Sequence, residues 1–307
     1  MRTAFINQLI EEAKINKEIF LLVGDLGFSV VEPFARLFPD RFLNVGIAEQ
    51  NMTGIAAGLA MEGYCVYIYS IANFPTMRPM EQIRYDICYH NLNVKIVAVG
   101  GGFAYGPLGA SHHATEEIGM LRTIPNMVVC APGDPVEAKS IASFTANYDG
   151  PCYIRIGKAG EPIVHKEDFL PNLSIGDILT IKEDDSDIAV FSTGAMLKYV
   201  DDFVKENKIR GSIFSFPFIK PMNIEQLTEI LKSYKKIITI EEHQAMGGFG
   251  SAILEVINDL IEDKKLESSP LIKRIAIPNK FYSVAGSQSY LRKLAGLVLK
   301  KKDFNIG

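Results

Sequence analysis

The chain has 307 residues, enough for one large or two ordinary domains with a full core. At 48% hydrophobic and 22% charged, with a net charge of −4, it has the composition of a soluble globular protein, and its scattered lysines form no basic face for nucleic acid. Cys65, Cys88, Cys130 and Cys152 stand more than twenty residues apart, which excludes CxxC zinc sites and a disulfide framework. A reducing cytoplasm is the expected setting, since no signal-peptide-like or membrane-length apolar stretch occurs.

From residue 1 to about 160, helical patterns alternate with short, nearly continuous apolar runs, the signature of strands buried on both faces of a parallel sheet. The runs are Ile19 to Val23, Cys65 to Tyr69, Val94 to Val99, Met127 to Cys130 and Cys152 to Ile156; helices are expected over 3–16, 48–62, 79–90, 116–123 and 135–147. Around 161–187 the chain turns polar, with Pro162, Pro171 and Glu183-Asp184-Asp185, and reads as a surface connector. Four further runs, at 188–191, 211–215, 236–240 and 272–276, begin a second, smaller alternation. The expected fold class is α/β with two layered α/β domains: residues 1–165, a linker at 166–186, and residues 187–307.

Two segments stand out chemically. Gly46-Ile47-Ala48-Glu49-Gln50-Asn51-Met52 opens a helix with apolar residues at near-helical spacing, which places the Glu49 carboxylate at a buried first turn. A buried carboxylate needs a partner or a raised pKa; a plain first-turn Glu favoured by the helix dipole is the simpler reading of the residue alone. Gly54 and Gly58 bare one stripe of that helix, so that it can pack closely against another backbone. The second segment, Gly100-Gly101-Gly102 through Gly109-Ala110-Ser111-His112-His113, follows a strand, and its glycines permit close approach of backbone to a ligand. It matches neither GxGxxG nor a Walker sequence, and in an extended backbone only one of the two histidines can face a given site.

Taken in order, Gly46 to Met52, Tyr69-Ser70 through Arg84, the loop ending Ser111-His112-His113, Leu121 to Met127 and Ala131-Pro132-Gly133-Asp134 resemble the pyrimidine-binding domain of transketolases and deoxyxylulose phosphate synthases. Glu241-Glu242-His243, Met246 to Ser251 and the stretch from Asn279 to Gly296 resemble their C-terminal domain. The resemblance implies thiamine diphosphate as cofactor, with Glu49 as the catalytic acid that hydrogen-bonds N1′ of the aminopyrimidine and favours its imino tautomer, so that the 4′-nitrogen can take the thiazolium C2 proton. A two-carbon ketol or acyl unit would then pass from a keto donor to an aldehyde or sugar acceptor.

His112 matches the family's donor-contacting, proton-shuttling histidine, with His113 the weaker candidate for substrate. Ile47, Asp25, Phe74 and Tyr105 are the remaining candidate cofactor contacts: Ala72 and Pro75 stand near the usual phenylalanines, leaving Phe74 or Tyr105 for the stacking face. Arg2, Ser29 and Lys158 fall near the sugar-phosphate positions, with Lys in place of a forked Arg. The second phosphate-contacting His becomes Gly101, and the acceptor-recognising Asp becomes Leu108, which removes polar selection and points away from an ordinary pentose phosphate toward a specialised sugar, such as a nucleotide-linked one.

The family's diphosphate and metal motif is missing, because Gly24-Asp25-Leu26 aligns with the start of the pyrimidine domain. No metal ligand is therefore assigned here, and Mg²⁺ or Ca²⁺ is expected mainly on a partner. The chain resembles the C-terminal subunit of a split transketolase that works with an N-terminal subunit, most simply as an α2β2 heterotetramer. Two other readings share these features: the beta subunit of a 2-oxo acid dehydrogenase, and a non-catalytic subunit of the same fold.

Overall fold

The computed structural model describes residues 1–168, 170 and 173–306; Pro171 of the expected connector lies outside them. Twelve strands are described: β1 (Ile19–Val23), β2 (Phe42–Asn44), β3 (Cys65–Ile71), β4 (Val94–Val99), β5 (Val128–Cys130), β6 (Cys152–Ile156), β7 (Leu179–Lys182), β8 (Ile188–Ser192), β9 (Ser212–Ser215), β10 (Phe218–Lys220), β11 (Lys236–Gln244) and β12 (Leu271–Ile277). They form one seven-stranded sheet, in the order β10-β5-β6-β4-β3-β1-β2, and one five-stranded sheet, in the order β12-β11-β8-β9-β7. Both are parallel apart from edge strands β10 and β7.

The central strands of the first sheet are apolar throughout because helices cover both faces. On one side lie Met52 and Ala56 of the helix Glu49–Met61, with Ile83 and Ile87. On the other lie Phe5 and Leu9 of the helix Arg2–Ile15, packed against Ile141 of the helix Pro135–Ala146. In a parallel sheet every strand leaves at the same edge, so Asp25, Glu49, Phe74, the glycine loop and Lys158, which follow β1, β2, β3, β4 and β6, all gather at the carboxyl edge.

Three expectations are corrected. The stretch 166–186 is not linker throughout: β7 lies within it and pairs antiparallel with β9, so the second sheet begins at Leu179. Half-exposed on a sheet edge, Leu179-Thr180-Ile181-Lys182 carries too few apolar residues to register as a strand. Conversely β10, from the second half, adds an antiparallel strand to the first sheet through Phe218 and Cys130, and a single apolar cluster runs from Met52 to Phe249 across both halves. The helix expected over 79–90 is a short α turn, Met80–Gln82, continued as a π-helix over Ile83–Tyr89.

The helix Pro135–Ala146 illustrates how local chemistry sets a boundary. Asp134 caps it by accepting from the backbone N–H of Val136 and Glu137, and Pro135 occupies a first-turn position that has no N–H to satisfy. The same carboxylate accepts from the N–H groups of Val164 and His165 and from the His165 ring, tying the connector to the helix. Burial alone would raise its pKa, yet the His165 ring and these amides hold it down at about 2. A carboxyl depressed in the folded state contributes stability above its unfolded pKa, which is lost as pH falls. The wild-type chain is therefore expected to lose stability between about pH 4 and pH 2 more steeply than Asp134→Asn, as read from urea midpoints across that range.

Candidate functional site

Gly46 turns the chain after β2 with φ +72°, a conformation that favours glycine, and Ala48 precedes the first helical residue, Glu49. The Glu49 side chain is 3% exposed. Arg78 Nη1 donates to its Oε2 at 2.8 Å, and among the described residues no other donor reaches the carboxylate. The Arg78 guanidinium lies 4.1 Å over the ring of Phe74, which meets the His112 imidazole edge-on at 5.2 Å. His112 Nδ1 pairs with Ser111 Oγ at 3.0 Å, and Asn73 Nδ2 donates to the Ser111 carbonyl at 2.6 Å. Glu49, Phe74 and His112 are thus joined in one line.

Arg78 is the member that sequence reasoning missed. Its signal was available, because on a helical turn it lies four residues after Phe74, where side chains meet. Above Glu49 is an open depression of about 580 Å³ lined by Ile47, Ala48, Glu49, Gln50, Asn51 and Arg78. Ile47 stands at its lip, 76% exposed. Asp25 lies on the neighbouring loop with φ +54°, its backbone N–H and carboxylate both joined to the Asn44 side-chain amide.

The two histidines diverge. His112 ends a 3₁₀ turn and faces Phe74, whereas the extended His113 is buried edge-on against Phe103, itself packed on Tyr282 of the second half. Burial lowers the His113 pKa. Tyr105 stands with Lys158, whose ammonium lies 4.9 Å over its ring, and no described contact joins it to the Glu49 group. Burial raises the phenol's pKa while the charge of Arg2 opposes the rise; the Arg2 Nε is buried without a partner. Ser29 is exposed, with φ +66°, and its N–H donates to Glu32 Oε1, so no described contact brings it to the Arg2 group.

The glycine loop serves the protein's own side chains. A Cβ at Gly100 would collide with the Tyr105 ring, at Gly101 with the Arg155 guanidinium, and at Gly102 with the Glu242 side chain. The expectation that these glycines clear space for a ligand is corrected: they clear it for the Tyr105 ring and for the buried ionic groups of Arg155 and Glu242. Arg155 Nε pairs with Glu117 at 2.7 Å, and its Nη2 donates to the carbonyls of Ala114 and Glu242. Glu242 in turn accepts from Phe103 N–H, Gln288 and Arg292.

The adjoining residues fasten the same seam. Glu241 accepts from the N–H groups of Phe249 and Gly250 at the start of the helix Phe249–Glu262, and burial lifts its pKa to about 7. His243 Nε2 accepts from Gly119 N–H, and burial pushes its pKa down to about 4, so the ring is neutral at pH 7.

The transketolase pyrimidine binding domain family matches residues 1–160, and the transketolase C-terminal domain family matches residues 176–297. The chain belongs to the transketolase family. It is 34% identical over 298 residues to a subunit of the apulose-4-phosphate transketolase of Actinobacillus succinogenes, covering 95% of this chain and 92% of that one. It is 37% identical over 302 residues to a putative transketolase C-terminal section of Methanocaldococcus jannaschii, covering 97% and 92%. A 1-deoxy-D-xylulose-5-phosphate synthase of Caldanaerobacter subterraneus is 36% identical over 265 residues, which cover 85% of this chain and 41% of the synthase.

Among solved structures, a split gene transketolase described as an inactive beta4 tetramer superposes with a TM-score of 0.84 at 32% identity, over 99% of this chain and 95% of that one. Transketolase from Leishmania mexicana, at 15% identity, shares the fold with a TM-score of 0.74 over 99% of this chain and 44% of that one. The chain is therefore a subunit of transketolase type, from a thiamine-diphosphate-dependent family. No helix among its described residues is long and apolar enough to cross a membrane.

Its residues fit half of that cofactor. The open depression, the Glu49 oxygen without a donor and the adjacent Phe74 ring suit an aminopyrimidine. For a metal-bound diphosphate, the cluster to consider among the described residues is Asp134, Glu137 and His165, and there the Asp134 carboxylate is already taken by the helix cap and the connector.

Proposed function

We propose that this chain is the C-terminal subunit of a two-chain, thiamine-diphosphate-dependent enzyme that moves a two-carbon ketol or acyl unit from a keto donor to an aldehyde or sugar acceptor. The observation that carries the reading is Glu49: a carboxylate buried at a helix start, with one oxygen held by Arg78 and the other free toward an open depression. Bound thiamine diphosphate supplies the electron sink that allows a carbon–carbon bond beside a carbonyl to break and re-form. Glu49 holds the proton shared with the ring nitrogen N1′, and its water-poor setting strengthens that hydrogen bond.

Phe74 backs Arg78 with an apolar ring, and the Ser111 hydroxyl orients His112 through Nδ1, leaving Nε2 to bind a donor hydroxyl or relay its proton. Lys158, over the Tyr105 ring, and Arg2 offer cations to a substrate phosphate. Mg²⁺ or Ca²⁺ and the diphosphate are assigned to an N-terminal subunit, in an α2β2 assembly in the cytoplasm. Leu108 at the acceptor position favours a specialised sugar over an ordinary pentose phosphate.

Titration calorimetry with thiamine diphosphate and Mg²⁺ tests this. The expected result is weak or absent binding to the chain alone and tight binding once an N-terminal transketolase subunit is added. Tight binding by the chain alone would overturn the split site, and binding by neither would overturn the catalytic reading.

A further inference from the structure

A cavity of about 350 Å³ lies where the two sheets meet, and no member of the Glu49 group lines it. In the second sheet β9 flanks β8 on one side and β11 on the other, so the strand order reverses between β8 and β11. In open parallel sheets, the crevice outside the carboxyl ends of such a pair is where ligands bind. The cavity occupies that crevice: Gly194 and Ala195 follow β8, and Glu242 lies near the end of β11. Its far wall is the end of β6 with Gly157, joined by Gly101 and Ala104 of the glycine loop. Neither Tyr105 nor Lys158 lines it, since the loop parts the two places: a Cβ on Gly100 would meet Tyr105, and one on Gly101 would meet Arg155.

Every carboxylate in the wall is already engaged. Glu242 accepts from Phe103 N–H, Gln288 and Arg292, Asp202 pairs with Lys198, and Glu161 pairs with the Met1 amino group. Donors are left over. The Arg292 Nε is buried without a hydrogen-bond partner among the described residues. Arg155, only 7% exposed, lines the cavity, and its bonds to Glu117, Ala114 and Glu242 run through Nε and Nη2 and leave Nη1 unengaged. Gly194 turns the chain with φ +58° into a 3₁₀ turn, Gly194–Met196, that runs on as the helix Leu197–Glu206. The opening N–H groups of such a segment have no helical partner and carry the positive end of its dipole. Two guanidinium groups and a helix start, with the neighbouring acceptors used up, suit an acceptor-rich anion, and a glycine turn leading into a helix suits a phosphate.

We infer that this cavity binds a small phosphate-bearing metabolite, at a place separate from the substrate phosphate assigned to Arg2 and Lys158, and that its occupancy acts on the histidine loop. The link runs through Arg155, whose Nη2 holds the Ala114 carbonyl two residues beyond His112 while the same guanidinium faces the cavity. Binding requires only this chain; the effect on turnover rests on the split-enzyme reading.

Calorimetry of the full chain with inorganic phosphate and with glycerol 3-phosphate tests the site, glycerol serving as the uncharged control. Wild type is expected to bind both phosphates and not glycerol. Ala195→Glu sets a carboxylate in the cavity wall at an opening turn, where the dipole favours an acid, so the variant should keep its circular dichroism and thermal midpoint and lose about tenfold or more in phosphate affinity. Arg292→Gln, which leaves Glu242 to Phe103 N–H and Gln288, should weaken binding by a similar factor, whereas Lys158→Ala should leave it in place. Absence of phosphate binding in wild type would overturn the assignment. So would unchanged affinity in both cavity variants, loss of binding in Lys158→Ala, or tighter binding of citrate than of either phosphate. In the mixed enzyme, phosphate is expected to change kcat for wild type and not for Ala195→Glu; an effect on KM alone would show competition at the substrate site and overturn the link to the histidine loop. A mixed complex without turnover would instead count against the function, and the cavity site would stand or fall by the binding measurements.

Discussion

Glu49→Gln is expected to leave the assembled enzyme intact and to reduce its turnover by about 10²–10⁴-fold, the range for loss of a positioned proton-transfer group. The substitution is nearly isosteric. Its amide oxygen can still accept from Arg78, and Arg78, half in solvent, is not left as a buried unpaired charge. Stability should therefore change by less than about 1 kcal/mol, within the usual range for substitutions that open no cavity and strand no charge. What is lost is the capacity to share a proton with the ring nitrogen. Steady-state rates of the mixed complex, with thermal midpoints and assembly measured beside them, decide the matter. Turnover within about twofold of wild type would remove Glu49 from the mechanism, and a collapse of assembly would show that its role is structural.

Arg155→Met is expected to give the largest loss of stability. Arg155 is buried, and it holds Glu117 at 2.7 Å together with the carbonyls of Ala114 in the histidine loop and Glu242 in β11. Removing it strands the Glu117 carboxylate with only the Tyr153 hydroxyl, in a setting where burial already raises the acid's pKa. Breaking a buried pair in this way costs about 3–5 kcal/mol. For a chain of this size that corresponds to a fall in thermal midpoint on the order of 10 °C. Adding Glu117→Gln should recover part of the loss, because the stranded charge disappears with it; strictly additive effects would show that the two residues do not act as a pair. Since Ala114 lies two residues beyond His112, the single variant should also lower kcat of the assembled enzyme, where a change confined to global stability would leave the surviving folded fraction fully active.

The two histidines and the glycine loop show where sequence and structure part company. That His112 and His113 serve different neighbours was legible in part, since adjacent side chains on an extended chain diverge; the actual partners, Phe74 for one and Phe103 for the other, depend on a 3₁₀ turn ending between them. The three glycines correctly announced a close approach. A glycine records only that something comes near its Cα, and the visitors proved to be Tyr105, Arg155 and Glu242, the last of them more than a hundred residues away in sequence.

The α/β class, the central strands of both sheets, the burial of Glu49 at a helix start and the family were all legible in the amino-acid order. Each of these is written in local periodicity or in an ordered run of neighbouring residues, where the physical cause and its signal lie within about one or two helical turns. Only folding shows that β7 and β10 are strands, that β10 joins the first sheet, that Tyr105 stands with Lys158 and away from Glu49, and that Arg78, already one helical turn from Phe74, reaches Glu49. Short edge strands and long-range ion pairs owe their existence to partners brought close by folding, and a sequence read locally holds no trace of which distant residue will supply the missing hydrogen bond or charge.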